Sequence, residues 1–255
     1  MPTAKTRSAI IAVVLFIIGL LVGASLTEVI DDEDDEEGGG GLTFDDPYEP
    51  VIVPSDFVAG VNNTYMPLVP GTTMVYEART DEGTERTVVH VTNATRNVMG
   101  VVCVVVRDTV SLDGSVVEDT YDWFAQDAEG NVWYFGEDSK EYEDGEMVST
   151  AGSWEAGVGG ARPGIVMLAH PHVGLTYRQE YLKGEAEDMG TVLSLDAAVT
   201  VPAGTYSGAL RTKDFTPLEP GVLEHKYYAP GVGLVLEEEG TVRVELIEVR
   251  TGQPD

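Results

Sequence analysis

From Thr72 onward the chain is written in short runs that are either apolar or alternate between apolar and polar, each cut off by a turn signal. That rhythm predicts strands throughout. Thr73 to Glu77 leads into the turn Asp81-Glu82-Gly83, Val88 to Thr92 returns, and Gly100 turns the chain into Val101 to Val106. The last of these is apolar on both faces, which predicts a strand covered on each side. Asp113-Gly114 closes a tight hairpin into Val116 to Phe124. Later runs cover Leu175 to Tyr181, Thr191 to Thr200, Tyr206 to Phe215, Val222 to Ala229, Gly233 to Glu238 and Thr241 to Val249. In one of them Leu193, Leu195, Ala197 and Val199 fall on one face at period two. No helical period longer than about two turns interrupts the series. The expected fold is all-β, a curved antiparallel sheet or partly open β-barrel of about twelve strands over residues 65–250, with a tail at 251–255.

The centre of that domain is expected between Tyr121 and Trp154, which holds Trp123, Trp133 and Trp154. Two aromatic runs flank Asp127-Ala128-Glu129-Gly130-Asn131, a hairpin in which Gly130 can take a positive φ. Gly152 to Pro171 breaks the rhythm with five glycines and two prolines. It reads as a long ordered loop and a place for a binding surface. Trp133, Tyr134, Trp154, Arg162 and Tyr177 are the candidate ligand-binding residues, aromatic groups grouped around that loop.

Ahead of the domain, residues 1–8 carry Lys5 and Arg7, and Ala9 to Leu26 is uncharged. Eighteen residues rising 1.5 Å each span roughly 27 Å, enough for a bilayer core. Basic residues before this run and acidic ones after it predict a single-pass transmembrane helix with the C-terminal domain outside the cytoplasm. A cleaved signal peptide, with Val22-Gly23-Ala24 at the cleavage site, is the alternative, and it also exports the domain. Residues 27–64 combine the acids Asp31 to Glu37 with the glycine run Gly38 to Gly41 and read as an extended, flexible linker.

Charge narrows the partners. The chain has 15 Lys plus Arg against 44 Asp plus Glu, a net charge of −29, so nucleic acid and anionic lipid headgroups are repelled. The partners expected are the membrane, through the N-terminal helix, and a small apolar ligand or an envelope protein. Cys103, the single cysteine, makes no internal disulfide and sits among valines as a small buried hydrophobe.

Catalytic signatures are sparse. Asp127, Glu129 and Asn131 alternate oxygen-bearing side chains as a calcium loop does, and calcium is the one cofactor this pattern raises. The pattern departs from an EF-hand loop at Gly130, Val132 and Asp138, so a plain hairpin turn is the competing reading. His170 and His172 would share one face of a strand and could hold zinc, but Pro171 lies between them and no third ligand motif is present. A hydrolase would have to rest on carboxylates such as Glu155, Glu180 or Glu185, two of them about 5 to 10 Å apart in a cleft. With no catalytic motif to anchor it, that reading is the alternative to a non-enzymatic binding or interaction module.

Several phrases resemble a family of exported prokaryotic proteins of uncharacterised function. These are Pro67-Leu68-Val69-Pro70-Gly71-Thr72-Thr73, the tryptophan hairpin with Gly152-Ser153-Trp154-Glu155-Ala156-Gly157, Val201-Pro202-Ala203-Gly204, and Tyr227 to Val235. The resemblance spans roughly residues 65 to 238. It implies an all-β extracytoplasmic domain and supplies no catalytic residues to transfer. The closing motif is also similar, more loosely, to envelope proteins whose curved antiparallel sheet cradles apolar ligands.

Overall fold

The computed structural model describes residues 48–252, and the segment read above as anchor or signal sequence lies outside them. No helix among the described residues is long and apolar enough to cross a membrane. A 3₁₀ turn at Pro54–Asp56 is the one helical element described. The strands of six residues or more are β1 (Thr73–Thr80), β2 (Gly83–Val98), β3 (Val101–Leu112), β4 (Ser115–Asp127), β5 (Val132–Asp138), β6 (Arg162–Met167), β7 (Met189–Val201), β8 (Gly204–Phe215), β9 (Glu224–Ala229), β10 (Gly233–Glu239) and β11 (Val242–Arg250).

Every neighbouring pair from β1 to β5 and from β7 to β11 is an antiparallel hairpin, and β11 returns to pair with β1. The remaining gap lies between β6, which pairs with β5, and β7. Thr176–Arg178 pairs with β7 on one side, and Glu180–Tyr181 pairs with β6 on the other. Those short ladders leave a barrel-like sheet that is nearly closed. Gly164 makes the seam possible: a Cβ there would stand 2.3 Å from the Gln179 carbonyl oxygen, closer than any side chain tolerates.

The two faces of the sheet differ in chemistry. Outward positions carry exposed ion pairs such as Arg86 with Glu77 at 2.7 Å and Arg107 with Asp119 at 2.7 Å. Inward positions can be followed around the ring from one paired residue to the next. Leu246 lies beside Tyr76, Tyr76 beside Thr87, Val89 beside Asp108, Asp108 beside Thr120 and Asp122 beside Glu137. Across the seam Gly190 lies beside Asp214, Thr212 beside Lys226 and Lys226 beside Glu237.

Along the barrel axis the interior divides into two ends. Towards the β2–β3, β4–β5 and β9–β10 turns it is apolar, with Val91, Phe124, Val132, Met167, Leu210 and Leu236 buried. The segment preceding β1 stoppers this end with Val61, Met66 and Leu68, all buried. Phe57 pairs with Asp127 and Val58 with Gln126, and the Gly231 N–H donates to the Thr64 carbonyl at 2.7 Å. Residues 48–64, assigned from sequence to the linker, therefore belong in part to the folded unit, because their apolar side chains cover a barrel end that would otherwise be wet. A cavity of about 20 Å³ remains beneath the stopper, bordered by Met66, Leu68, Met74, Tyr76, Tyr228 and Leu234. It has room for about one water.

One other sequence expectation needs correction. Gly152 to Pro171 is not one long loop, since it contains the strand Trp154–Glu155, paired with β5, and all of β6. Its glycines and proline hide a strand because they serve close approach at the seam rather than side-chain packing. The run Glu141 to Ser149 forms a small hairpin of its own beyond the β5 end.

Candidate functional site

The five residues proposed for ligand binding do not meet in one place. Tyr134 and Trp154 are buried inside, their rings 5.2 Å apart at 86°, and Tyr134 also stacks on Phe124 at 5.0 Å. Gly136 brings Trp154 this close, because a Cβ there would lie 2.2 Å from the Trp154 carbonyl oxygen. Tyr177 is also inside, but on the far side of the seam, packed over Gly190 and influenced by Asp214. Trp133 points the other way, with its indole N–H donating to Asp127 Oδ2 at 2.8 Å. Arg162 forks onto Glu49 at 2.9 and 3.1 Å on the outside.

Asp127 spends its carboxylate on the turn it begins. Oδ1 accepts the backbone N–H groups of Glu129, Gly130 and Asn131 at 2.8 to 3.0 Å, and Oδ2 accepts from Asn131 Nδ2 and Trp133 Nε1. Asn131 Oδ1 accepts the Ala169 N–H at 2.8 Å, so its oxygen is committed as well. The alternation that resembles a calcium loop is a turn organiser in which Asp127 and Asn131 already have donors, while Glu129 is exposed. His170 and His172 sit in an exposed loop, not on a strand. The carboxylates named for hydrolysis are scattered: Glu155 pairs with Arg96 on the outside, Glu185 is exposed in a turn, and only Glu180 is interior. Cys103 is fully buried, and burial pushes its thiol up to about 12.

What the register gathers instead is an interior lined with acids. Glu85, Asp108, Glu118, Asp122, Glu137, Glu180, Asp214 and Glu237 are all buried. Asp188 joins them from the strand edge beside Gln179. The buried cations are two, and Arg178 lies outside the ring against the Tyr48 and Tyr181 rings, leaving Lys226 as the interior one among the described residues. The Lys226 ammonium lies 3.0 Å from Glu224, 3.6 Å from Asp214 and 3.8 Å from Glu237. Burial works against its charge, but Glu224, Glu237 and Asp214 outweigh that and hold its pKa well above the ordinary lysine range.

The other acids have no such partner. Both oxygens of Glu180, Oε2 of Glu137, Oδ1 of Asp188, Oδ1 of Asp108 and Oε1 of Glu85 are buried without a hydrogen bond. Burial and mutual repulsion raise them together. Burial, then Glu118, moves Glu85 to about 8. Glu118 goes to about 7 by burial, against a hydrogen bond from Thr120. Asp122 also rises to about 7, although the Tyr134 hydroxyl donates to it at 2.8 Å. Asp188 reaches about 7 by burial, with Lys226 opposing. Glu137 and Glu180 stand well above the usual carboxylate range, burial first and neighbouring acids after it. The Trp154 indole N–H favours the ionised Glu180 but closes no well-formed hydrogen bond with it. A buried ionised carboxylate without partners costs several kcal/mol, so these groups hold protons near neutrality or recruit cations.

Sequence reasoning missed this interior because a polar residue in an alternating run is assumed to face water. One signal was present. Glu118, Thr120 and Asp122 share the parity of Phe124, and Glu85 and Thr87 that of Val89 and Val91, so period two already places acids on the apolar face.

No protein-family model matches the chain, and a search of curated proteins finds no relative. Two solved structures are similar in shape. A protein described as exported, with a YmcC-like fold, from Bacteroides fragilis is 15% identical, with a TM-score of 0.45 over 74% of this chain and 100% of that one. A protein described as a lipoprotein from Parabacteroides distasonis is 12% identical, with a TM-score of 0.40 over 74% of this chain and 99% of that one.

Proposed function

We propose that this chain is an exported, membrane-tethered domain of the cell envelope that binds a ligand inside its barrel and performs no catalysis. The observation that carries the reading is the set of buried, unpartnered carboxylates on the inner face, Glu180 foremost. Folded proteins rarely leave such groups without partners unless something else completes them. The acids named for hydrolysis do not form a catalytic pair, which favours binding over turnover. The apolar cavity of about 20 Å³ is too small for an apolar ligand, so the ligand is one that answers acids. Export and tethering rest on the uncharged run Ala9 to Leu26 between basic and acidic flanks.

The test uses the full chain with a C-terminal tag in intact cells. Added protease should remove the tag without lysis, and the intact chain should stay in membranes washed at high pH. A tag protected until the cells are broken would end the reading; a shortened chain in the medium would replace the tether by a cleaved signal.

A further inference from the structure

The interior acids fall into two groups. Asp214, Glu224 and Glu237 surround an ammonium that the chain itself supplies, at 3.0 to 3.8 Å from Lys226 Nζ. After burial, Glu137 is raised by Asp122, Glu180 and Asp188, and Glu180 by Asp188 and Asp122; Lys226 opposes the rise of Glu180 and Asp188, but no cation reaches hydrogen-bond distance of Glu180 or of Glu137 Oε2. Two aromatic rings border this second group. Tyr134 donates its hydroxyl to Asp122, and Trp154 lies T-shaped against Tyr134 with its indole N–H directed at Glu180.

We infer that the barrel interior binds a small molecule through a primary ammonium group, seated among Asp122, Glu137, Glu180 and Asp188. This rests on the reading of the interior as a binding site and names the chemistry of its ligand. An ammonium carries three donors and no acceptor, which suits carboxylate oxygens that lack donors. The tyrosine and tryptophan rings add faces attractive to an alkylammonium. No three or more His, Cys, Asp or Glu among the described residues converge as metal ligands, so the spacing is looser than chelation of a bare metal ion demands. The Lys226 group shows carboxylates of this interior already answered by an ammonium. The charged and titratable groups acting on the site are Glu118 and Asp122 from β4, Glu137 and Tyr134 from β5, Glu180 and Asp188 beside the seam, Asp214 from β8, and Glu224 and Lys226 from β9.

The experiment titrates the detergent-solubilised full chain at pH 8.5 and constant ionic strength with methylammonium, 1,5-diaminopentane, tetramethylammonium or potassium, following thermal stability and calorimetric heat. The two primary amines should give saturable stabilisation and release protons, seen as heats that change with the buffer. Glu180→Gln and Glu137→Gln should each weaken amine binding at least tenfold, whereas Glu155→Gln, on the outer face, should not. Equal stabilisation by tetramethylammonium or potassium would overturn the inference, as would unchanged affinity in Glu180→Gln or no saturable effect of either amine. Those failures leave export and tethering untouched, and the protease experiment leaves ammonium binding untouched.

Discussion

The two acid groups inside the barrel differ in what lies within reach of them. Around Lys226 three carboxylates converge on one ammonium, and the lysine keeps its charge although fully buried. Around Glu180 a similar number of carboxylates face one another, and their pKa values rise. Glu237 beside the lysine is raised as well, by burial first and then by Glu224, so one ammonium offsets the burial of its acids only in part. Buried carboxylates thus need not be a defect of this fold: one group shows how the interior is neutralised, and the other shows it before neutralisation.

The comparison can be broken most severely by Lys226→Met. Losing one member of a buried ionic group typically costs about 3–5 kcal/mol, and urea unfolding at pH 8 should show a loss of that order. The same variant at pH 5 should lose less, because Glu237, held well above the usual carboxylate range by burial, then takes a proton. A loss independent of pH would mean that the lysine matters for packing alone. The next largest effect is that of pH on the unaltered chain. Glu85, Glu118, Asp122 and Asp188 have folded pKa values of about 7 to 8, above those of an unfolded chain. Between about pH 4 and 8 the folded state therefore binds more protons than the unfolded one, and stability falls as pH rises. Melting should occur at a clearly higher temperature at pH 5 than at pH 8.5. The reverse order would mean that these acids are ionised and paired.

Gly136→Ala forces a Cβ to within 2.2 Å of the Trp154 carbonyl and should cost about 1–3 kcal/mol in chemical denaturation. Its effect should centre on the Glu180 group, read as a change in tryptophan fluorescence. Glu180→Gln replaces a carboxyl that must hold a proton to stay buried, without changing its shape, and should stabilise the ligand-free chain by about 1 kcal/mol at pH 8. Destabilisation would show that the carboxylate has a partner. The smallest effect belongs to the outer face. Arg107→Met breaks a well-formed pair with Asp119, yet that pair is solvent-exposed and should be worth less than about 1 kcal/mol.

Much of the architecture was legible in the residues. The turn dipeptide Asp113-Gly114 corresponds to the β3–β4 hairpin and the run Thr191 to Thr200 to part of β7, but bulges break the single face expected of Leu193, Leu195, Ala197 and Val199, so that Val192 is buried and Leu193 only half-buried. The strand β6 was not legible, because Pro163 and Gly164 are there to let two backbones approach. The aromatic centre was found in sequence but not its division, since Trp133 and Tyr134 are adjacent and so lie on opposite faces. The acid lining escaped because hydropathy treats every carboxylate as solvent-facing, whereas closure of the sheet encloses whatever the inward parity carries.

The stopper formed by Val61, Met66 and Leu68 has a mechanical corollary. The chain ahead of it is held to the barrel wall by the Tyr48 hydroxyl on the Pro163 carbonyl and by Glu49 on Arg162, both on β6 beside the seam. Tension along the N-terminal extension would be felt first at that seam and next at the plug, before any of the long hairpins bore it. Traction from upstream would then work like a hand on a cork, loosening the weakest stave of the cask while leaving the others standing.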